Sequence, residues 1–174
     1  MHELTDNART TGARDAAGAT PQRPRHWGID PRRANRPAVR LLLRIAAAGQ
    51  TRSRLVRRVR RVVHDGLGML LGTDFRCRTF GSQLYLPHPY GIVVHAAVVI
   101  GDRCTLFQNV TIGETTTRPG VPVLGNDVVV GAGAAILGDV SIGNGAHVGA
   151  NAVVVENVPA GSVVVGIPAH VVSD

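Results

Sequence analysis

Few side chains in this chain of 174 residues could carry covalent or proton-transfer chemistry. It has seven histidines, two cysteines and no lysine. His88 stands out by its setting, Pro87-His88-Pro89-Tyr90-Gly91-Ile92-Val93-Val94. A neutral imidazole within hydrogen-bond reach of a hydroxyl can take its proton as that oxygen attacks, typically a 10²–10⁴-fold effect. A carboxylate on the other ring nitrogen fixes the tautomer and stabilises the imidazolium. A metal centre is not expected. A three-histidine zinc site needs a third ligand close by, and His88 and His95 have none near them. Cys77 and Cys104 make no disulfide framework, which fits a reducing compartment.

The elements that must position these groups are written in sixes from Val94 to Val158. An aliphatic residue opens nearly every block: Val94, Ile100, Leu106 and Ile112, then Leu124, Val130, Ile136, Ile142, Val148 and Val154. The fifth place is small or β-branched, as at Val98, Cys104, Val110, Val128, Ala134 and Val140. Glycine recurs in the second place, as at Gly101, Gly125 and Gly131. A period of six cannot be an amphipathic helix, because 3.6 residues per turn carries each sixth residue to another face. It suits short extended segments joined by tight corners, stacked so that one apolar column is buried. Aromatic residues make up only 3 % of the chain, so that column must be built from Val, Ile, Leu and Ala.

The net charge of +7 is unevenly spread. All 19 cations are arginine, and seventeen precede residue 79 against six acids, giving +11 there and −4 in the remainder. The basicity belongs to an appendage. Residues 1–37 read as a disordered arginine-rich tail with Trp27 as its one large apolar side chain. Residues 38–71 read as a short helical segment. Ala38 to Ala48 and Ser53 to His64 are its helices, with Gly49 and Gly66 as stops. In the second helix Leu55, Val56, Val59, Val62 and Val63 share a face, and Arg54, Arg57, Arg58 and Arg61 occupy the other. The favoured reading lays that apolar stripe over the end of the coil stack. Contact of a basic helix with an anionic membrane surface is the lesser alternative. Nucleic acid is not an expected partner, since no aromatic residues interleave with the arginines.

Residues 72–174 are then one coil domain, all-β in class. The repeat breaks at 114–122, a polar Pro/Gly stretch that reads as a loop extruded from one corner. No apolar run reaches a membrane span and no apolar signal core opens the chain, so a cytoplasmic location is expected.

These segments resemble the hexapeptide-repeat acyltransferases, and within them the serine O-acetyltransferase group and its sugar-acetylating relatives. The resemblance rests on Pro87-His88-Pro89-Tyr90-Gly91-Ile92-Val93-Val94, Gln108-Asn109-Val110-Thr111-Ile112-Gly113, Val130 to Gly138, and Gly166-Ile167-Pro168-Ala169. It implies a left-handed parallel β-helix, assembled as a homotrimer with active sites between neighbours. It implies acetyl-coenzyme A as co-substrate, a small-molecule hydroxyl as acceptor, and His88 as the general base. Asp74 would orient that histidine. It lies 14 residues before His88, one fewer than the family spacing, which would fall on Thr73. Gly113, Ala132 and Ala150 match positions that line the coenzyme groove. Arg118, in the extruded loop, would meet a coenzyme phosphate or the acceptor.

Two departures bear on the acceptor. The family's serine enzymes carry an aspartate before the histidine, where this chain has Pro87. Their loop carries an Arg-His pair before a proline, where this chain has Gly120-Val121 before Pro122. The family's long preceding helical domain is also missing. A free amino acid would then lack partners for its ionised groups. The expected reaction is therefore O-acetylation of a sugar or specialised metabolite in preference to serine. True serine acetyl transfer, or a non-catalytic trimeric scaffold, are the alternatives.

Overall fold

A computed structural model describes residues 35, 37–48, 53–116 and 119–173. The expected disordered tail therefore lies outside the described residues except for Asn35 and Pro37, and Asn35 is fixed. Its side-chain amide donates to the Leu84 carbonyl at 2.8 Å and accepts from the Leu86 amide at 2.9 Å. Two helices follow, α1 (Pro37–Ala47) and α2 (Arg54–Leu71). Then come fourteen short strands. They are β1 (Asp74–Phe75), β2 (Thr79–Phe80), β3 (Val93–Val94), β4 (Val99–Ile100), β5 (Thr105–Leu106), β6 (Thr111–Gly113) and β7 (Val123–Leu124). The second half has β8 (Val129–Val130), β9 (Ala135–Leu137), β10 (Ser141–Ile142), β11 (His147–Val148), β12 (Val153–Val154), β13 (Val163–Gly166) and β14 (Ala169–Ser173).

The strands form three sheets, ordered β1-β3-β6-β9-β12, β10-β7-β4-β2 and β14-β13-β11-β8-β5. All pairs are parallel except β13 with β14. Successive strands step from one sheet to the next, so each coil visits three faces of a prism. Val93 pairs with Thr111 and Val129 with His147, a rise of 18 residues per coil. Val99 pairs with Val123, a rise of 24. The coil that holds the extruded loop is thus six residues longer, and an insertion of six is why the repeat resumes in phase. The residues that open the blocks point inward: Val94, Ile100, Leu106, Ile112, Leu124, Val130, Ile136, Ile142, Val148 and Val154 are all buried. At the far end, antiparallel β14 covers β13.

Corners lock one coil to the next. The Ser82 amide donates to Asp102 Oδ1 at 2.9 Å, the Asp102 amide to Asn126 Oδ1 at 2.8 Å, and the Asn126 amide to Asn144 Oδ1 at 2.8 Å. Each short polar side chain thereby pairs a corner N–H of the coil below, which would otherwise lack a partner. Close stacking leaves no room for a side chain at some glycines. A Cβ on Gly131 would lie 2.6 Å from the Ala150 nitrogen.

The appendage departs from expectation. Helix α2 begins at the expected place, capped by Ser53, but Gly66 does not stop it. It runs to Leu71 and ends at Gly72, whose φ of 59° supplies the left-handed cap. It is α1 whose apolar residues, Val39, Leu42 and Leu43, are buried against the stack. Helix α2 turns its other side inward. His64 Nε2 meets the Phe75 carbonyl at 2.8 Å, and Gly68 is buried because a Cβ there would lie 2.6 Å from the Thr73 oxygen. The apolar stripe expected to cover the stack faces outward, with Leu55 and Val62 each 71 % exposed and Met69 86 %. Among the described residues no helix is long and apolar enough to cross a membrane.

Cys77 and Cys104 are both fully buried, with Sγ 3.1 Å from the Val98 and Gly125 carbonyls respectively. Burial pushes each thiol up to about 11. Two measurements follow. Gly131→Ala should destabilise the fold by roughly 2 kcal/mol or more in urea unfolding, because backbone must move. Gly66→Ala, in open space on α2, should be neutral or stabilise by up to ~1 kcal/mol. Equal effects would contradict the stacking account. The folded thiols keep their protons to about pH 11, whereas unfolded thiols lose theirs near ~8.5. Stability should be full below that lower value and fall as pH rises through the window, by roughly 3 kcal/mol per thiol. A Cys77→Ala, Cys104→Val double variant should flatten that slope.

Candidate active site

His88 sits in the bend that leads into β3. The ring is exposed, and it makes no hydrogen bond to any described residue of its own subunit. Its carbonyl accepts from the Tyr90 amide at 2.8 Å, which tightens the bend between Pro87 and Pro89. Proline fixes its own φ and restricts the residue before it, so the histidine is presented on a stiff backbone. The next coil segment is tied to the start of the stack. The Gly91 amide donates to the Gly72 carbonyl at 2.7 Å, and the Asp74 amide to the Ile92 carbonyl at 2.8 Å. Asp74 is therefore one strand away from the histidine's own segment.

Its carboxylate is otherwise engaged. Arg76 Nε donates to Asp74 Oδ1 at 2.7 Å, and no hydrogen bond joins Asp74 to His88. That hydrogen bond, with the charge behind it, raises the Arg76 guanidinium above its ordinary value. The expected Asp74–His88 pair is thus not formed within one chain. Residues two apart along an extended segment share a face, and the nearer cation takes the carboxylate.

The three positions expected along the coenzyme groove fall on two edges of one sheet. Ala132 and Ala150 share a corner in successive coils, where the Asn151 amide donates to the Ala132 carbonyl at 2.8 Å. Gly113 ends β6 on the opposite edge, and His95 stands over it, since a Cβ there would lie 3.5 Å from the His95 Cβ. His95 is a corner residue, with Nδ1 accepting from the Ala97 amide at 3.3 Å. His147 is half-buried in β11. Arg118 lies outside the described residues.

Gln108 belongs to the same edge as Ala132 and Ala150. Its carbonyl accepts from the Gly133 amide at 2.9 Å, one residue after Ala132. Its side-chain Oε1 is shut off from solvent and has no hydrogen-bond donor among the described residues. The signal in sequence was faint: a long amide at a corner where the two following coils place Ala132 and Ala150. Among the described residues, no three of His, Cys, Asp or Glu come together as metal ligands do.

With this geometry the comparisons can be read. Residues 122–155 match the bacterial transferase hexapeptide (six repeats) model. Over 94 residues the chain is 42 % identical to serine acetyltransferases of Synechococcus elongatus and Staphylococcus aureus, covering 53 % of this chain and 38 % and 44 % of theirs. The soybean serine acetyltransferase complexed with serine superposes with a TM-score of 0.64 at 32 % identity, covering 78 % of this chain and 56 % of that one. A serine acetyltransferase complexed with CoA gives 0.64 at 27 %, covering 78 % and 55 %. The coil domain carries the hexapeptide repeat and is similar to serine acetyltransferases. Its prism is the left-handed parallel β-helix of that fold. The chain spans about two-fifths of the length of these curated relatives.

One expectation is overturned here. Pro87 and the altered loop pointed away from serine, toward a sugar or specialised metabolite. The relatives and the structural neighbours are serine acetyltransferases, one of them complexed with serine itself. The inference failed because it treated two charged positions as indispensable to amino-acid binding.

The Asp74–Arg76 pair is exposed on both sides, so it adds little to stability. Asp74→Asn should leave the thermal midpoint unmoved. A large drop would mean that the carboxylate holds up the first coil, against the geometry described.

Proposed function

We propose that this chain is a serine O-acetyltransferase, moving the acetyl group of acetyl-coenzyme A to the serine hydroxyl. The observation that carries the reading is the exposed ring of His88 on a stiff Pro-His-Pro bend, at the edge of a coil stack whose relatives are serine acetyltransferases. A serine hydroxyl is a poor nucleophile while it keeps its proton. His88 takes that proton as the hydroxyl oxygen attacks the thioester carbonyl. Collapse of the tetrahedral centre breaks the carbon–sulfur bond, and the imidazolium returns the proton to the departing thiolate.

The site needs more than one chain. Gly113 on one edge and Ala132 with Ala150 on the other cannot line one groove within a single prism. Two neighbouring prisms of a homotrimer bring opposite edges together, and His88 lies at the edge that carries Ala132 and Ala150. Assembly also supplies a reason for Asp74 to leave Arg76. Once the seam excludes water, the imidazolium that forms on His88 is the stronger claimant for a carboxylate.

Thiol release from acetyl-coenzyme A should depend on added L-serine. His88→Ala should cut it roughly 10²–10⁴-fold with the coil fold intact by circular dichroism. Asp74→Asn should lower kcat more than it raises KM. Serine-independent thiol release that survives His88→Ala, or none with serine at all, would remove the proposal.

A further inference from the structure

Arginines of α2 and the first coil, all but Arg60 exposed to solvent, line an open cleft of about 680 Å³ beside the end of α1. Its cationic wall is Arg57, Arg60 and Arg61 from α2, with Arg76 and Arg78 from the first coil. The frame is held firmly. Arg60 Nη2 donates to the Ile45 carbonyl at 3.2 Å and also to the Ala48 carbonyl, closing the end of α1. Arg76 is fixed by Asp74, and His64 by the Phe75 carbonyl. The side chains of Arg57, Arg61 and Arg78 have no hydrogen bond or ion pair to any described residue. Among the described residues Asp65 is the one carboxylate lining the cleft, and Asp74 pairs with Arg76. Five guanidinium groups against two carboxylates leave three positive charges unmatched around one small space.

Like charges gathered this closely repel unless an anion bridges them. A guanidinium presents a planar fork of donors that fits phosphate oxygens two at a time. The volume is that of a small-molecule site. The remaining lining is aliphatic, at Ile45, Ala46, Ala48 and Ala96. With no aromatic ring to stack a base, a nucleic-acid strand is a poor occupant. A single carboxylate or halide would leave most of the charge unanswered. We propose that this cleft binds a small polyphosphate, a ligand with two or more linked phosphate groups. That chemistry has two sources, the diphosphate of the coenzyme itself or a separate diphosphate-bearing metabolite. The proposal stands apart from the acyl-transfer reading, because its readout is binding.

The test is calorimetric titration of the full chain with inorganic pyrophosphate, at constant ionic strength set with chloride. Wild type should bind one pyrophosphate per chain saturably and gain thermal stability. The variant R57Q/R61Q/R78Q should lose at least tenfold in affinity while unfolding at an unchanged midpoint without ligand. A control, R40Q/R54Q/R58Q, removes the same charge from exposed positions outside the cleft and should bind as wild type does. Competition by coenzyme A would assign the cleft to the coenzyme's diphosphate, and its absence to a separate ligand; both support the site. Non-saturable heats, or equal losses in the two triple variants, would overturn it.

Discussion

The distance between stacked coils governs this molecule. Backbone runs directly over backbone at each corner, so a corner glycine such as Gly131 has no room for a methyl group. Where the turn needs a left-handed residue, the chain uses glycine or a short polar side chain. Gly133 and Gly145 alternate with Asn109, Asp127 and Asn151, at φ of 56–73°. Asparagine and aspartate pay back part of that strain through local hydrogen bonds. Arg103 is the exception, at φ 56°, and its guanidinium is clamped to both oxygens of Asp127 at 2.7 and 2.6 Å. A scaffold this tightly spaced has little freedom to move a side chain toward a substrate. Chemistry must be built from what already projects at its edges, and His88 does.

The same spacing explains what could be read from sequence. The hexads reported the inward column residue by residue, and the six-residue lengthening of one coil kept the phase on both sides of the loop. Two things were hidden. A helical wheel shows that α2 has an apolar side and a basic side, but not which one the body takes. The body takes the strip between them: Arg54, Arg57, Arg58 and Arg61 stay exposed while Arg60, His64 and Gly68 turn inward, favoured by groups that the wheel omits, the carbonyls at the end of α1 that Arg60 caps, the Phe75 carbonyl for His64, and the absence of a Cβ at Gly68. The second was Asp74. Counting back from the histidine picked out Asp74 but ignored Arg76 two residues on, a partner that is always within reach.

The proposed serine acceptor sharpens the problem set by Pro87. An amino acid brings an ammonium and a carboxylate, and both must exchange water for partners when the site closes. Pro87 offers neither a charge nor an N–H. The partners must come from elsewhere, and one prism has few to spare: apart from residues outside the described set, the first coils near His88 carry only Asp74 and Asp102 as carboxylates. Asp102 already accepts from Ser82. In the proposed reaction Asp74 would be pulled by three cations in turn, Arg76 at rest, the imidazolium during proton transfer, and the ammonium of the amino acid. It can satisfy only one at a time. A neighbouring chain that supplied the missing charges would relieve that competition, which is a physical reason for the proposed site to be divided between chains.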